Sequence, residues 1–218
     1  MPVSSPGPAI LQPMPIDLAA ATAAIRAADP ELAAFIDRAG PAPPRPGDGD
    51  PFASLARAIV FQQLATRAAA AIHGRFVSAI GGTVTAAAIL ATETSVLRAS
   101  GLSNAKTIAL LDLAAKVADG TVPLDGLADL HDDEIVERLT TVRGIGRWTA
   151  EMFLLFELER QDVWPVDDLG VRHGWRLIHG ESELLKPRDL LVEGDRFRPY
   201  RSVVALLCWH AVHVDRGQ

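Results

Sequence analysis

The stretch "TTVRGIGRWTAEMF" at residues 140–153 places two glycines around one isoleucine, between two segments of helical character. Glycine adopts positive φ without steric cost and lets another backbone come close. We predict that Ile145 turns inward, while the amides of Gly144 and Gly146 point outward beside a helix that begins at Arg147. Helix starts attract phosphate through their N–H groups and the positive end of the dipole. A tight turn that only packs two helices together has the same pattern.

The composition predicts a globular protein without thiol-based metal chemistry. The chain has 218 residues, 49% of them apolar, enough for one large core or two small lobes. Its single cysteine, Cys208, excludes an intrachain disulfide and a four-thiolate iron–sulfur cluster. Residues 1–16 contain five prolines and predict a flexible tail without the pattern of a secretory signal. No apolar run has the length of a membrane span, so we expect a soluble, cytoplasmic protein.

Helical periodicity dominates the chain beyond this tail. Apolar residues at 52, 55, 56, 59, 60 and 64 have the spacing of an amphipathic helix. No run alternates with the period of two that is typical of a strand. We therefore predict an all-α fold. Further helices are predicted within 17–39, at 66–79, 84–91, 94–99, 104–118 and 132–140, from Arg147 onward, and at 202–213.

Charge is unevenly distributed along the sequence. The formal net charge of −6 argues against a nucleic-acid partner, because neutralising phosphates takes clustered basic side chains. Residues 119–137, however, contain seven acidic and no basic side chains, whereas residues 57–116 contain six basic and two acidic ones. This segregation is consistent with a basic face on an acidic protein.

Five segments between residues 52 and 213 are informative together: they are, in order, "AIVFQQLATRAA", "GLSNAKTIALLDLA", "LTTVRGIGRWTAEMF", "VWPVDDLGVR" and "YRSVVALLCWH". In this order they resemble the helix-hairpin-helix (HhH-GPD) DNA glycosylases, and most of all their alkyladenine branch, the DNA-3-methyladenine glycosylase II type. The resemblance implies a two-lobed, all-helical fold over residues 17–218 with the active-site cleft between the lobes and the hairpin at 140–149.

The resemblance also implies how DNA is held. The hairpin grips the backbone of the damaged strand, and its main-chain carbonyls at Thr140, Val142 and Ile145 match those that bind a monovalent cation, Na⁺ or K⁺. The turn "QQLAT" matches the wedge that fills the gap left by an extruded base, which indicates Gln63 and Leu64. Arg57, Arg67 and Lys106 are further phosphate candidates, although a solvated charged face looks the same in sequence. The DNA contacts predicted in this way are Gly144, Ile145, Gly146, Arg147, Thr149, Gln63, Leu64 and Arg201.

The family's catalytic carboxylate matches Asp168 in "PVDDLGV". Breaking a purine N-glycosidic bond develops positive charge on the sugar, which a nearby carboxylate stabilises while it orients or deprotonates water. One carboxylate suffices when alkylation already makes the leaving base cationic, whereas glycoside hydrolases use two. Either aspartate could instead cap a helix that begins near Leu169. We predict that Asp168 is catalytic and that Asp167 is structural.

Trp148 stands where the strand-cutting members of the family have a lysine that forms a Schiff base with the sugar. We therefore predict a monofunctional enzyme. The resemblance places Trp148, Met152 and Trp209 in the base pocket, where aromatic faces favour a cationic base. Met152 departs from the family's aromatic residue at this position, which leaves the substrate range open.

The sequence thus predicts a monomeric hydrolase of base excision repair that flips alkylated purines, of the 3-methyladenine or 7-methylguanine type, out of duplex DNA. It requires no cofactor, and the histidines form no recognisable ligand set. Alternatives are a glycosylase of the same fold for an oxidised or deaminated base, a non-catalytic HhH DNA-binding protein, and a helical protein without a DNA partner.

Overall fold

The chain consists of helices and loops throughout the part that the structure describes. This computed structural model describes residues 17–42, 47 and 49–217, so the predicted tail at 1–16 lies outside the described residues. No strand occurs within these ranges, which confirms the all-α prediction. None of their helices is both long and apolar enough to cross a membrane. The α-helices of the described residues are α1 (Leu18–Ala28), α2 (Pro30–Ala39), α3 (Pro51–Phe61), α4 (Thr66–Ala79), α5 (Ala86–Ala91), α6 (Thr94–Ala99), α7 (Asn104–Ala118), α8 (Asp132–Thr140), α9 (Arg147–Phe156), α10 (Leu169–His179), α11 (Pro187–Gly194) and α12 (Arg201–Asp215).

The described residues form two compact units. Residues 49–150 form the first, called here the hairpin unit, with α3 to α8 and the start of α9. The second, the carboxylate unit, consists of residues 17–42, 47 and 151–217 and contains α1, α2 and α10 to α12. The division falls within α9, between Ala150 and Glu151.

Helix α7 carries much of the core of the hairpin unit. Leu110, Leu113 and Ala114 have no exposed surface, and α7 packs against α3, α5 and α6. Each fully buried leucine stabilises the fold by about 2 kcal/mol relative to exposure. The helix begins after Ser103, whose Oγ accepts the amide of Lys106 at 3.3 Å, as expected of a serine N-cap. The buried residues and the N-cap therefore hold α7 in place within the hairpin unit.

The start of α8 explains part of the acidic segment at 119–137. Asp132, Asp133 and Glu134 lie in the first turn of α8, where carboxylates interact favourably with the positive end of the helix dipole. The Glu134 carboxylate also accepts the amide of His131 at 2.9 Å, one half of a capping box. These acids stabilise a helix start.

Helix α12 forms the core of the carboxylate unit. All residues from Arg201 to Cys208 are buried, and α1, α2 and α10 pack against this helix. Burial raises the pKa of the Cys208 thiol, so the reactive thiolate does not form at neutral pH. The lone cysteine is therefore a core residue.

Candidate functional site

The hairpin between α8 and α9 depends on Gly144. This residue has φ of +83°, and a Cβ on it would lie 2.9 Å from the Cβ of Ala109 on α7. Glycine thus meets both requirements that the sequence suggested, positive φ and close approach. Gly146 meets neither, since its φ is not positive and a Cβ there would meet open space among the described residues. The fold of these residues explains the first glycine of the pair and not the second.

Ile145 turns inward, as its position between the glycines predicts. Its side chain is 4% exposed, and its amide donates to the carbonyl of Val142 at 3.1 Å. The carbonyl of Gly146 accepts the amide of Ala150 at 3.1 Å, which starts α9 at Arg147. The positive end of the α9 dipole therefore lies at the hairpin.

A second loop of the hairpin unit, the turn after α3, is bonded to this hairpin through Gln62. The Gln62 Nε2 donates to the carbonyl of Gly144 at 2.9 Å and to Oγ1 of Thr149 at 3.2 Å. The next residue, Gln63, has φ of +56°, a region that costs a residue with a Cβ free energy. Leu64 follows with 39% of its side chain exposed. Gln62 was not predicted from the sequence; the glutamine doublet was the signal, but only its second member was singled out.

The turn and the hairpin share a groove of about 590 Å³. Six predicted site residues lie along it: two from the turn and four from the hairpin and the start of α9. Trp148 is 44% exposed, so an aromatic face is available there. The groove is lined by Phe61, Gln62, Gln63, Leu64, Gly144, Gly146, Trp148 and Thr149.

In the carboxylate unit, Asp168 is the N-cap of α10. Its Oδ1 accepts the amide of Val171 at 2.8 Å and the indole N–H of Trp209 at 2.9 Å. Two donors on one oxygen hold the carboxylate in one orientation. Asp168 is only partly buried, whereas Asp167 is exposed and does not cap the helix. The prediction of Asp167 as the structural aspartate is wrong, because Asp168 itself makes the capping bond.

Trp209 reaches Asp168 because residue 170 is a glycine. A Cβ on Gly170 would lie 2.7 Å from the Trp209 ring and 3.0 Å from Oδ1 of Asp168. The other packing partner of the indole is Phe156, whose ring lies 5.6 Å away, centroid to centroid, at 28°. Phe156 was not among the predicted site residues. Met152, on α9 in the same unit, is half-buried.

Residues 56–193 match the family model described as "HhH-GPD superfamily base excision DNA repair protein". This chain belongs to the HhH-GPD superfamily. Across 73% of its length it is 37% identical to DNA-3-methyladenine glycosylase 1 of Schizosaccharomyces pombe, of which the match covers 72%.

Solved structures of the superfamily have the same fold. A Schizosaccharomyces pombe 3-methyladenine DNA glycosylase in complex with abasic DNA matches with a TM-score of 0.79 at 33% identity, covering 87% of this chain and 95% of that one. A DNA-3-methyladenine glycosidase from Bacillus halodurans matches with a TM-score of 0.82 at 32% identity, covering 91% of each chain. The resemblance and the fold class inferred from the sequence are both confirmed.

Two side chains predicted to contact DNA have internal partners in this HhH-GPD chain. Thr149 is 4% exposed and its hydroxyl accepts the Gln62 amide. Arg201 is 8% exposed, and its Nε and Nη2 donate to the Asp162 carboxylate at 2.6 and 2.9 Å. A guanidinium at the start of a buried helix needs such a partner. Both side chains are buried in the chain without DNA, and their predicted contacts with DNA stay predictions.

The other basic candidates of the hairpin unit differ in what they contact. The Arg147 side chain is 62% exposed and lies 4.0 Å from Asp133. Arg57 is exposed and places its guanidinium 4.3 Å from the centre of the Phe61 ring, and Arg67 is exposed. The Lys106 ammonium instead donates to the main-chain carbonyl of Val60. Arg57, Arg67 and Arg147 are thus the surface cations of the predicted set.

The predicted cation ligands lie where α8 ends. Thr140 is the last residue of α8, and the carbonyl of Val142 accepts the Ile145 amide. Carbonyl oxygens at the negative end of a helix dipole suit an alkali cation. Between them, the carbonyl of Thr141 accepts the ammonium of Lys116 at 2.6 Å. Carbonyl oxygens are the kind of ligand that an alkali cation takes, and the Lys116 ammonium already binds the carbonyl next to them.

One further group in the carboxylate unit has the composition of a metal site. Asp29, Glu31 and His179 form the single group of three potential ligands among the described residues. Oδ2 of Asp29, however, accepts Nη2 of Arg196 at 2.7 Å and lies 3.0 Å from Nε2 of His179. A guanidinium bound to the central carboxylate opposes a metal ion. Asp29 is therefore the centre of a hydrogen-bonded cluster that connects the start of α2 to Arg196 and to His179 at the end of α10.

Proposed function

We propose that this chain is a monofunctional DNA glycosylase that excises alkylated purines, of the 3-methyladenine and 7-methylguanine type, from duplex DNA. The observation that carries the proposal is the Asp168 carboxylate, held by the start of α10 and the Trp209 indole in a chain of the HhH-GPD superfamily. The substrate class is supported by the relatives described above, which are 3-methyladenine glycosylases by name.

The hairpin unit has the features needed to hold a DNA strand. The hairpin and the positive end of α9 offer main-chain contacts to phosphate, which bind any sequence. Open space beside Gly146 allows a phosphate to approach the backbone closely. The exposed side chains of Gln63 and Leu64 are suited to enter the duplex and replace the extruded base in the stack.

The chemistry requires one carboxylate. As the bond between C1′ and the purine nitrogen breaks, its electron pair moves to the base and neutralises the positive charge that alkylation introduced. The sugar becomes an oxocarbenium ion, which the Asp168 carboxylate stabilises electrostatically. Water then adds to C1′, and its proton passes to Asp168 or to solvent. The products are a free base and an abasic site.

Strand cleavage is not expected from this chain. A lyase step needs a lysine amine to attack the sugar, and the three lysines are Lys106, Lys116 and Lys186. The first two donate to main-chain carbonyls of the hairpin unit, and the third precedes α11 in the carboxylate unit. The tryptophan at 148 has no group that could form a Schiff base.

We further propose that a Na⁺ or K⁺ ion binds the carbonyls of Thr140, Val142 and Ile145 when DNA is present, and that the chain acts as a monomer. The ion would strengthen the interaction of the hairpin with phosphate. Replacing sodium by a large organic cation at constant ionic strength tests the first proposal, since duplex affinity should fall. Mass measurement of the complex tests the second.

The decisive experiment measures release of free bases from methylated duplex DNA. We expect 3-methyladenine and 7-methylguanine to be released by the wild-type chain without strand breaks. Asp168→Asn should lower the rate by about 100-fold or more, because the lost negative charge stabilises the transition state. Asparagine caps helices as well as aspartate does, so the variant should fold and should still bind duplex DNA.

Asp167→Asn is the matched control, since it removes the neighbouring exposed carboxylate and leaves the cap intact. It should retain the wild-type rate. Release by Asp168→Asn at the wild-type rate would show that another group performs the chemistry. Release of 8-oxoguanine or uracil from single-lesion duplexes, with no alkylated purine, would assign the chain a different substrate.

A further inference from the structure

Helix α7 presents four residues along one face to the hairpin and to the end of α3. Lys106, Ala109, Asp112 and Lys116 are separated by three, three and four positions, the spacing that brings side chains to one side of a helix. In the sequence, Lys106, Asp112 and Lys116 look like the ordinary solvated surface of the helix predicted at 104–118. Their contacts were therefore not predicted.

At one end of this face, Asp112 and Lys116 bind the main chain of the hairpin. Oδ2 of Asp112 accepts the amide of Arg143 at 2.7 Å. The ammonium of Lys116 donates to the carbonyl of Thr141 at 2.6 Å and to the same Asp112 oxygen at 2.9 Å. The pair therefore closes a ring of charge-assisted hydrogen bonds with the backbone immediately before Gly144.

At the other end, the same helix holds the end of α3, which leads into the turn with Gln63 and Leu64. The ammonium of Lys106 donates to the carbonyl of Val60 at 2.7 Å, in the last turn of α3. Between the two ends, Ala109 lies against Gly144. One helix thus contacts the hairpin and the end of the helix that leads into the turn with Gln63 and Leu64.

The alternative is an ordinary surface ion pair between positions i and i+4, which contributes little. Two observations distinguish this pair. Its side chains are only 26% and 29% exposed, and both bond to main-chain groups of the hairpin as well as to each other. Burial would raise the pKa of Asp112, but the Arg143 amide and Lys116 together lower it below its ordinary value. The carboxylate is therefore bound in its ionised form.

We propose that Asp112 and Lys116 are positioning residues that hold the hairpin in the conformation that binds the DNA backbone. The inference rests on the proposed function, since it assigns the hairpin to phosphate binding. Neither residue touches the reacting atoms. Their effect should appear in the affinity for DNA and not in the rate of the chemical step at saturation.

Substitution of Asp112 gives a test in which positioning and charge act in opposite directions. Removing an acidic side chain near DNA should tighten binding if only electrostatic attraction mattered. Removing a residue that holds the hairpin in place should instead weaken DNA binding. The readouts are the Kd for a duplex with a tetrahydrofuran abasic analogue, over a series of salt concentrations, and the single-turnover rate of 3-methyladenine release at saturating enzyme.

We expect Asp112→Ala to raise Kd about tenfold, the loss of roughly one charge-assisted hydrogen bond, with the single-turnover rate unchanged. Asp112→Asn should recover part of the affinity, because an amide oxygen still accepts the Arg143 amide. Lys116→Met should also raise Kd, and Lys116→Arg should restore part of it. The dependence of Kd on salt should keep the wild-type slope in all four variants.

Controls of matched charge are Asp125→Ala, an exposed acid in the same unit, and Lys186→Met, a lysine of the carboxylate unit. Neither should weaken binding by the tenfold expected above. Should Asp112→Ala not fold by circular dichroism, Asp112→Asn takes its place, again with weaker binding expected than for the wild type.

Binding of Asp112→Ala or, in its place, Asp112→Asn as tight as or tighter than wild type overturns the inference. So does a salt slope for Lys116→Met that is smaller by about 0.9, which would make Lys116 a direct phosphate contact. Both outcomes are distinct from failure of the proposed function, in which the wild-type chain itself releases no alkylated base.

Discussion

At the scale of single residues, capping and catalysis are compatible roles for Asp168. The cap requires an oxygen that accepts the Val171 amide, and the chemistry requires a negative charge in a fixed place. The Trp209 N–H donates to the same oxygen that caps the helix, so it holds the carboxylate in the place that both roles require. An indole N–H in this role also explains a tryptophan in the apolar part of this helix, where a partly buried donor needs a partner.

Gly170→Ala should disturb this arrangement without removing any functional group. The added methyl would occupy the position of the Trp209 ring, so the indole must move away from Asp168. We expect base release to slow by at least about tenfold and the free energy of unfolding to fall by about 1–2 kcal/mol. Single-turnover kinetics and urea unfolding measure both.

The control for this change is Gly74→Ala in α4, where a Cβ would meet open space among the described residues. Alanine there should be neutral or stabilising, because glycine in a helix costs conformational entropy. If Gly170→Ala kept full activity, the contact between Trp209 and Asp168 would have no part in catalysis.

Sequence motifs identified Asp168 and the hairpin because their residue types stand close together along the chain. Gly144 and Ile145 behave as the local pattern predicts. The bonds from Trp209 to Asp168 and from Gln62 to Gly144 join residues 41 and 82 positions apart. No periodicity encodes such pairs, so they had to come from the folded structure.

At the scale of helices, the sequence predicted the bounds of four helices correctly. The predicted helices at 66–79, 94–99, 104–118 and 132–140 have the observed bounds. Helix α11 was not predicted, because "KPRDLLVEG" mixes charges with few apolar residues. The proline at its first position was an available signal, since proline is favoured at the start of a helix.

The start of α12 provides a test that separates a structural role of Arg201 from the predicted DNA contact. Arg201→Met removes the buried partner of Asp162, and we expect the free energy of unfolding to fall by roughly 2–3 kcal/mol. The slope of DNA affinity against salt should stay at the wild-type value. Unfolding in urea and binding titrations over a range of salt concentrations check the two expectations.

A reduction of that slope by about 0.9 would instead mean that Arg201 neutralises a phosphate. Arg147→Met is the informative comparison, because the Arg147 side chain is 62% exposed beside the hairpin. For this variant we expect the slope to be reduced and stability to be retained.

At the scale of the whole molecule, the net charge of −6 is a poor guide to the surface that DNA would meet. Several acids have internal partners: Asp29, Asp112 and Asp162 all accept hydrogen bonds from basic side chains. Others stabilise the start of α8. The net charge counts acids that have internal partners in the same way as acids that face solvent. For this reason the composition alone argued against a DNA partner.

Asp29 allows a test of how much an acid with internal partners contributes to the free energy of unfolding. Its side chain is 2% exposed; burial would raise its pKa, but the Leu32 amide, His179 and Arg196 lower it below 3.8. A lowered pKa stabilises the folded state at pH values above that of the unfolded chain, and the contribution is lost as the pH falls through the folded-state value. Asp29→Asn keeps a residue that caps α2 but leaves Arg196 without its buried partner. At neutral pH we expect a loss of about 3 kcal/mol in the free energy of unfolding.

The difference between wild type and Asp29→Asn should shrink as the pH falls below 3.8, the ordinary value for the carboxyl, because the wild-type carboxylate then becomes neutral as well. Urea unfolding from neutral pH down to about pH 3 measures it. Asp37→Asn, which breaks an exposed pair with Arg26, should show little effect at any pH. If the loss for Asp29→Asn were the same at every pH, it would come from packing, and the charge of Asp29 beside Arg196 and His179 would not stabilise the carboxylate unit.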